Sequence, residues 1–206
     1  MERVSRLGEV ATANTLARIL STVPSCSKGP AQICIFDIHA LQNQFYFKDT
    51  VLIRLGTCVN LLLERIASLP DRANVNIAFP DDGAAKRFGD LFSDYAAPII
   101  CHKIRDGCRR VVKLKEGDVH GRHCIIVDDL VQSGGTMLEC AKELLRNGAE
   151  SVSAYVTHAI FPKESFKQFL TADLPQGTEQ TFKHFWSESD SAGAAVGNSS
   201  WPGPGH

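Results

Sequence analysis

Long hydrophobic runs, paired-cysteine motifs and an excess of charge of one sign are all missing from this chain. None of its 206 residues lies in an apolar stretch near the roughly 18 residues of a transmembrane helix, so we expect no membrane partner. The formal net charge of −1 gives no reason to expect nucleic acid. Seven cysteines without a Cys-x-x-Cys pair indicate buried thiols in a reducing compartment, not a disulfide framework or a zinc site.

The common nucleotide-binding signatures are also absent. There is no Gly-x-x-x-x-Gly-Lys-Ser/Thr loop, no Gly-x-Gly-x-x-Gly fingerprint and no kinase catalytic-loop pattern, which excludes a P-loop kinase. The first residues contain no apolar segment typical of a signal peptide, and their acidic residue argues against a transit peptide. The sequence therefore favours a cytoplasmic protein.

The patterning that is present predicts a parallel α/β sheet, because apolar strands alternate with amphipathic helices. Strands are predicted at 32–38, 75–79, 98–102, 110–115, 124–127 and 152–157, and helices at 8–20, 57–69, 84–92 and 137–146. A short basic loop is expected between the strands at 98–102 and 110–115. From about residue 188 the chain is small, polar and aperiodic, which predicts a disordered tail.

The most informative stretch is the run CIIVDDLVQSGGT at 124–136. A buried strand leads to Asp128 and Asp129, and a small-residue turn then opens a helix. Backbone amides and hydroxyls at a helix N-terminus suit a phosphate, whereas adjacent carboxylates suit ribose hydroxyls or a magnesium ion. The alternative is a capped helix after a strand with two solvated acids, but the combination exceeds what capping requires.

Two further segments are rich in charged residues. The turn PDDGAAKR at 80–87 follows a strand and opens a helix, so it is a second candidate anion site; alone it is more typical of a capped helix with exposed basic residues. The stretch from Lys103 to Lys115 holds six basic residues, and its alternative reading is a solvated loop. Aromatic residues are not interleaved with these charges, which counts against nucleic acid.

These segments, with FDIHALQ at 36–42 and SAYVTHAIF at 153–161, occur in an order that resembles the ribose-phosphate diphosphokinases, in particular their plant-type class II branch. The resemblance covers about residues 1–187. It implies an α/β, parallel-sheet, phosphoribosyltransferase-like (type I) fold. Residues 1–50 would be the end of a preceding similar domain, 51–187 the catalytic domain and 188–206 the tail, with the chain curtailed at both ends relative to the family.

The resemblance also implies roles for individual residues. A mobile basic loop would supply Lys103 and Arg105 as catalytic residues. Ribose 5-phosphate would bind to Asp128, Asp129, Gln132, Ser133, Gly134, Gly135 and Thr136. The pyrophosphate of ATP would bind to Asp82, Gly83, Ala84, Ala85, Lys86 and Arg87. Magnesium, the expected cofactor, would be held by His39, Asp81, Asp128 and Asp129.

The function implied is diphosphoryl transfer from ATP to ribose 5-phosphate, giving 5-phosphoribosyl 1-diphosphate and AMP. ATP and ribose 5-phosphate are the expected partners, together with further subunits as a homo-oligomer or a co-assembly with full-length relatives. One alternative is a salvage phosphoribosyltransferase, although the Lys-x-Arg and Asp-x-His pairs argue against it. Another is an inactive or regulatory relative that binds phosphates.

Overall fold

The computed structural model of the chain describes Gly8, residues 12–106 and residues 109–171. The predicted tail at 188–206 lies outside these residues. The chain divides into two compact units, residues 1–61 and residues 62–206. None of the helices in the described part is long and apolar enough to cross a membrane.

The first unit contains helix α1 (Thr12–Leu20) and a two-stranded parallel sheet of β1 (Ala31–Phe36) and β2 (Val51–Gly56). A 3₁₀ helix, Leu41–Tyr46, lies between the two strands. The Ser21 hydroxyl joins α1 to the approach to β2, because it donates to the Ala17 carbonyl (2.7 Å) and accepts from the Lys48 N–H (3.0 Å). Strand β2 was not predicted from the sequence.

The second unit is built on a five-stranded sheet in the order β5-β4-β3-β6-β7. Its strands are β3 (Val75–Phe79), β4 (Ile99–Asp106), β5 (Arg109–Glu116), β6 (His123–Val131) and β7 (Ser151–Ala159). Helix α2 (Val59–Ala67) spans the division between the two units. The helices of the second unit after it are α3 (Asp82–Phe88), α4 (Gly135–Arg146) and α5 (Lys167–Thr171). All strand pairs are parallel except β4 with β5. The predicted parallel α/β sheet is thereby confirmed, with one antiparallel pair that was not predicted.

The core of this unit forms around its two central strands. Every residue of β3 is buried, as are the first five of β6, which is typical of parallel strands covered on both faces. Helix α4 packs its apolar face into this core through Met137, Leu138, Cys140, Ala141 and Leu144. The sheet is therefore rigid where its strands end, and it can position the loops that follow.

The start of β6 is held by a polar bridge. The ring of His123 lies 2.6 Å from the Asp71 carboxylate through Nδ1 and 2.8 Å from the Ser153 hydroxyl through Nε2. His123 and Ser153 are both buried, so these bonds satisfy groups that water does not reach. The bridge ties β6 and β7 to the turn before β3, at the end of the strands opposite the acids Asp128 and Asp129.

The strands on either side of the predicted short basic loop are longer than expected, and they pair with each other; the mobility of the connection between them stays a prediction. Strand β4 continues through Lys103 and Arg105 to Asp106 and pairs antiparallel with β5, with Lys103 opposite the buried Val112. The first of these strands was predicted to end at 102 because the charges that follow obscured the β-branched Ile104, which pairs with Val111. The pairing satisfies the backbone polar groups with which the two strands face each other.

One strand end differs from the sequence-based expectation. Strand β6 does not end at the acids but runs past them to Val131, because β7 pairs with it as far as Ala159. The division between the compact units falls between Leu61 and Leu62, and β2 pairs with β1 within the first unit. The family-level division of the chain stays a prediction.

Candidate functional site

Asp81 stands where β3 ends and α3 begins. Its backbone is extended, and its carboxylate accepts a hydrogen bond from the Ala84 N–H at 3.0 Å, so it is the N-cap of the helix. Gly83, Ala84 and Ala85 form the first turn, as predicted for the second anion site. Asp82 and Lys86 are exposed beside them.

Lysines of the β4–β5 pair reach the acids of this turn. Lys103 Nζ lies 2.8 Å from Asp81 Oδ2, and Lys115 Nζ lies 2.6 Å from Asp82 Oδ1. Partial burial would raise the pKa of Asp81, but the bonds from Lys103 and from backbone N–H groups outweigh it and hold that pKa below its usual value. Lys115 was not predicted as a site residue; its alternation with Lys113 along β5 was the available signal.

Asp129 has a partner on a different element. Its carboxylate is almost fully buried and lies 2.6 Å from Nη1 of Arg87, at the end of α3. The predictions gave Arg87 to pyrophosphate and Asp129 to ribose or metal, but the structure joins the two side chains. A buried carboxylate of this kind needs such a cation, because an unpaired charge out of water is costly.

Asp128 precedes Asp129 on the same strand and is only partly buried. Successive side chains of a strand point to opposite faces, but these two carboxyl groups are close enough to hydrogen-bond to each other. Burial raises the pKa of Asp128 to about 7, and a hydrogen bond with Asp129 adds to the rise. The Asp129 N–H also donates to Asp128 Oδ1 at 2.9 Å. At neutral pH this carboxyl is therefore poised between its protonated and ionised forms.

The predicted phosphate turn follows directly. Gln132, Ser133, Gly135 and Thr136 are exposed, and α4 begins at Gly135. Gly134 is buried with a φ of +92°, and a Cβ there would lie 2.5 Å from the Phe169 ring. Only glycine fits both conditions. The first-turn N–H groups of α4 are of the kind that bind anions.

The remaining predicted residues divide into those within the second unit and those outside it. Arg105 lies on β4, opposite Arg110 in register. His39 is exposed in the first unit, after Asp37, whose carboxylate accepts the Cys58 N–H at 2.9 Å. Within the described ranges, no group of three or more His, Cys, Asp or Glu side chains could hold a metal ion by itself.

The sequence matches a known protein family. Residues 62–186, more than half of the chain, match the phosphoribosyl transferase domain, and the chain belongs to that family. More particularly, it is similar to ribose-phosphate pyrophosphokinases. It is 54% identical over 185 residues to ribose-phosphate pyrophosphokinase 4 of Oryza sativa subsp. japonica, covering 90% of this chain and 56% of the relative. It is 51% identical over 195 residues to the chloroplastic ribose-phosphate pyrophosphokinase 3 of Arabidopsis thaliana, covering 95% and 47%.

The fold has a solved counterpart as well. The phosphoribosylpyrophosphate synthetase of Mycobacterium smegmatis superposes with a TM-score of 0.65 at 24% identity, covering 84% of this chain and 54% of that one. At this identity the likeness establishes the fold alone. The chain spans about half the length of the curated relatives it matches.

Proposed function

We propose that this chain transfers a diphosphoryl group from ATP to ribose 5-phosphate, giving 5-phosphoribosyl 1-diphosphate and AMP. One observation carries the proposal. The ion pairs Lys103–Asp81 and Arg87–Asp129 join three separately predicted segments, at 2.8 Å and 2.6 Å, into one charged site at the ends of β3 and β6. Ligands bind at such strand ends in open α/β sheets.

The sugar is expected to bind at the end of β6. The exposed turn from Gln132 to Thr136 presents N–H groups and two hydroxyls, which suit the 5-phosphate. Asp128, on the strand leading to that turn, is suited to the ribose hydroxyls, because a carboxyl with a pKa of about 7 can either accept or donate a hydrogen bond.

The triphosphate is expected to lie against the first turn of α3 and the strand pair. The 1-hydroxyl of the sugar attacks the β-phosphorus and releases its proton to water. A new O–P bond forms, the bond between β-phosphorus and the α–β bridging oxygen breaks, and AMP leaves. Lys103, Arg105 and Lys86 would neutralise charge on the transferring group. Positioning and charge neutralisation are the main protein contributions in phosphoryl transfer generally.

Magnesium is proposed as the cofactor, held in part by substrate oxygens. Magnesium is commonly held by one or two carboxylates together with phosphate oxygens and water, and Asp81 and Asp128 offer carboxylates at adjoining strand ends. That donor set fits the ion, whereas a site made by protein groups alone does not fit the described residues. When bound, the ion would neutralise phosphate charge. A role for His39 stays a prediction.

The decisive assay measures AMP release from ATP with ribose 5-phosphate and magnesium. We expect AMP and 5-phosphoribosyl 1-diphosphate in equal amounts. A salvage phosphoribosyltransferase would instead consume 5-phosphoribosyl 1-diphosphate with a base and release no AMP. That result would contradict the proposal, and separate incubations with purine and pyrimidine bases test it.

A second candidate is a relative that binds phosphates and acts only with other subunits. It is favoured by the apolar side chains exposed in the first unit, where Phe45 is 79% and Leu41 64% exposed. We propose that residues 1–50 correspond to the end of a preceding similar domain and that the chain forms homo-oligomers or assembles with longer relatives. Mass measurement in solution, alone and mixed with a full-length relative, separates these cases.

The cellular compartment is a separate proposal. We propose a cytoplasmic location because the cysteines of the described residues are free thiols, as is typical of a reducing compartment. The relatives bear on this choice, because one is named chloroplastic in Arabidopsis thaliana and another mitochondrial in Spinacia oleracea. Fluorescence of a C-terminal fusion in living cells tests the proposal, and signal confined to an organelle would overturn it.

A further inference from the structure

The turn that carries the predicted phosphate site is held from behind by the segment that follows β7. The N–H of Ile160 donates to the Val131 carbonyl at 3.0 Å, and the N–H of Phe161 donates to the Gln132 carbonyl at 3.1 Å. The side-chain amide of Gln168, on α5, donates to the Ser133 carbonyl. Three successive carbonyls of the turn are thus bonded to one later segment of the chain.

The orientation of the turn follows from these bonds. In a planar trans peptide the carbonyl of one residue and the N–H of the next point in opposite directions. The N–H groups of Gln132, Ser133 and Gly134 therefore point away from the segment at 160–168. The next carbonyl, that of Gly134, accepts a hydrogen bond from the Leu138 N–H of α4 at 3.0 Å. The amides are directed to the side where an anion would bind.

Packing fixes the same arrangement. Phe169 is buried against Gly134 and packs edge-on against Phe161, with ring centroids 5.6 Å apart. Phe161 has a φ of +43°, and Lys163 and Glu164 also have positive φ values. Non-glycine residues adopt this conformation only when their surroundings impose it, so the turn after β7 is strongly determined.

We propose that Gln168 and Phe169 are positioning residues for the 5-phosphate of the sugar substrate, acting through the backbone of Ser133 and Gly134. The inference rests on the proposed function, since it assigns the phosphate to this turn. Neither side chain contacts the substrate in this proposal. Gln168 sets the direction of the peptide after Ser133, and the Phe169 ring fixes the distance at which Gly134 lies.

The test uses three variants of the full chain. Gln168→Met keeps the length of the side chain and removes the donor. Phe169→Leu keeps an apolar group and opens space behind Gly134. Lys167→Ala is the matched control, because it lies on the same helix, is exposed and pairs with Glu164. For each we would measure kcat, both KM values, the melting temperature and calorimetric Kd values for ribose 5-phosphate and for inorganic phosphate.

We expect Gln168→Met to weaken the binding of ribose 5-phosphate, raising its Kd and KM about fivefold. That change is equivalent to the loss of one net hydrogen bond. The KM for ATP should stay within about twofold of wild type. Phe169→Leu should raise the Kd and KM for ribose 5-phosphate by a larger factor than Gln168→Met. Lys167→Ala should leave both values for ribose 5-phosphate unchanged. The proposal is overturned if both KM values rise together, or if the melting temperature falls while the Kd values stay at wild type.

The proposed reaction and this inference fail in different ways. If the wild-type chain binds ribose 5-phosphate but releases no AMP, the reaction is wrong and the Kd comparison still decides the positioning role. If wild type binds neither ribose 5-phosphate nor inorganic phosphate, the phosphate turn is misassigned and the positioning role is overturned with it.

Discussion

Replacing Asp128 by asparagine is expected to stabilise the fold while damaging the site. The Asp128 carboxyl is partly buried beside Asp129, and this burial raises its pKa to about 7. Asparagine has nearly the same shape and can keep the bond from the Asp129 N–H through its carbonyl oxygen. The variant therefore removes the cost of burying an ionised group and leaves the packing in place.

The size and sign of the effect follow from the pKa in the two states. The carboxyl titrates near 3.8 in the unfolded chain and near 7 in the folded one. Between these values the folded protein binds a proton that the unfolded chain does not, so wild-type stability falls as pH rises and levels off above about pH 7. The difference between the two pKa values corresponds to a change in the free energy of unfolding on the order of 4 kcal/mol as an upper bound. We expect about 2 kcal/mol of this change to appear between about pH 5 and pH 7.

Chemical denaturation in EDTA at a series of pH values measures this difference. The free energy of unfolding of Asp128→Asn should exceed that of wild type by an amount that grows with pH and then becomes constant. Asp94→Asn, at an exposed loop position, is the control and should differ from wild type by no more than about 0.5 kcal/mol at every pH. A stabilisation by Asp128→Asn that does not depend on pH, or a loss of stability, would refute the reasoning.

Three further changes test other parts of the structure. The double variant Lys103→Ala/Arg105→Ala should lower AMP release by about a thousandfold or more but spare calorimetric binding of ribose 5-phosphate; surviving turnover would remove both residues from the catalytic set. Gly134→Ala forces a Cβ to within 2.5 Å of a packed ring at a positive φ, so ribose 5-phosphate binding should weaken at least about tenfold and stability fall by about 1–3 kcal/mol. His123→Phe breaks a bridge to a carboxylate and a buried hydroxyl and should lower the free energy of unfolding by about 2 kcal/mol, with AMP release per folded molecule unchanged, as a denaturation curve and an activity assay would establish.

The fold class was predictable because the central strands carry their own signal. The strand at Val75–Phe79 was predicted with the bounds observed, since a short, mostly apolar run between a turn and a helix is typical of a parallel strand. Strand β2 went unpredicted although Val51–Leu55 is rich in apolar residues. A two-stranded sheet is marginal in isolation, and its pairing with β1 depends on contacts that a local pattern does not contain.

The sequence predicted which residues belong to the candidate site, but not which side chains contact each other there. Sequence motifs identified Asp81, Asp128 and the turn after it, and the structure brings these segments to neighbouring strand ends. They could not show that Arg87 pairs with Asp129, because that contact depends on where α3 lies over β6. Nor could they show that Gln168 donates a hydrogen bond to the Ser133 carbonyl, because the two residues are 35 positions apart in the sequence.

The pairing of β4 with β5 bears on the motion that the proposed reaction would require. A basic loop would have to be ordered around the substrate in every catalytic cycle, with the loss of entropy that ordering entails. Lys103 instead stands on a strand whose backbone becomes ordered once, when the chain folds. For Lys103, adjustment during the proposed reaction would need only side-chain rotation and release of the Asp81 partner, which occurs faster than the closure of a long loop.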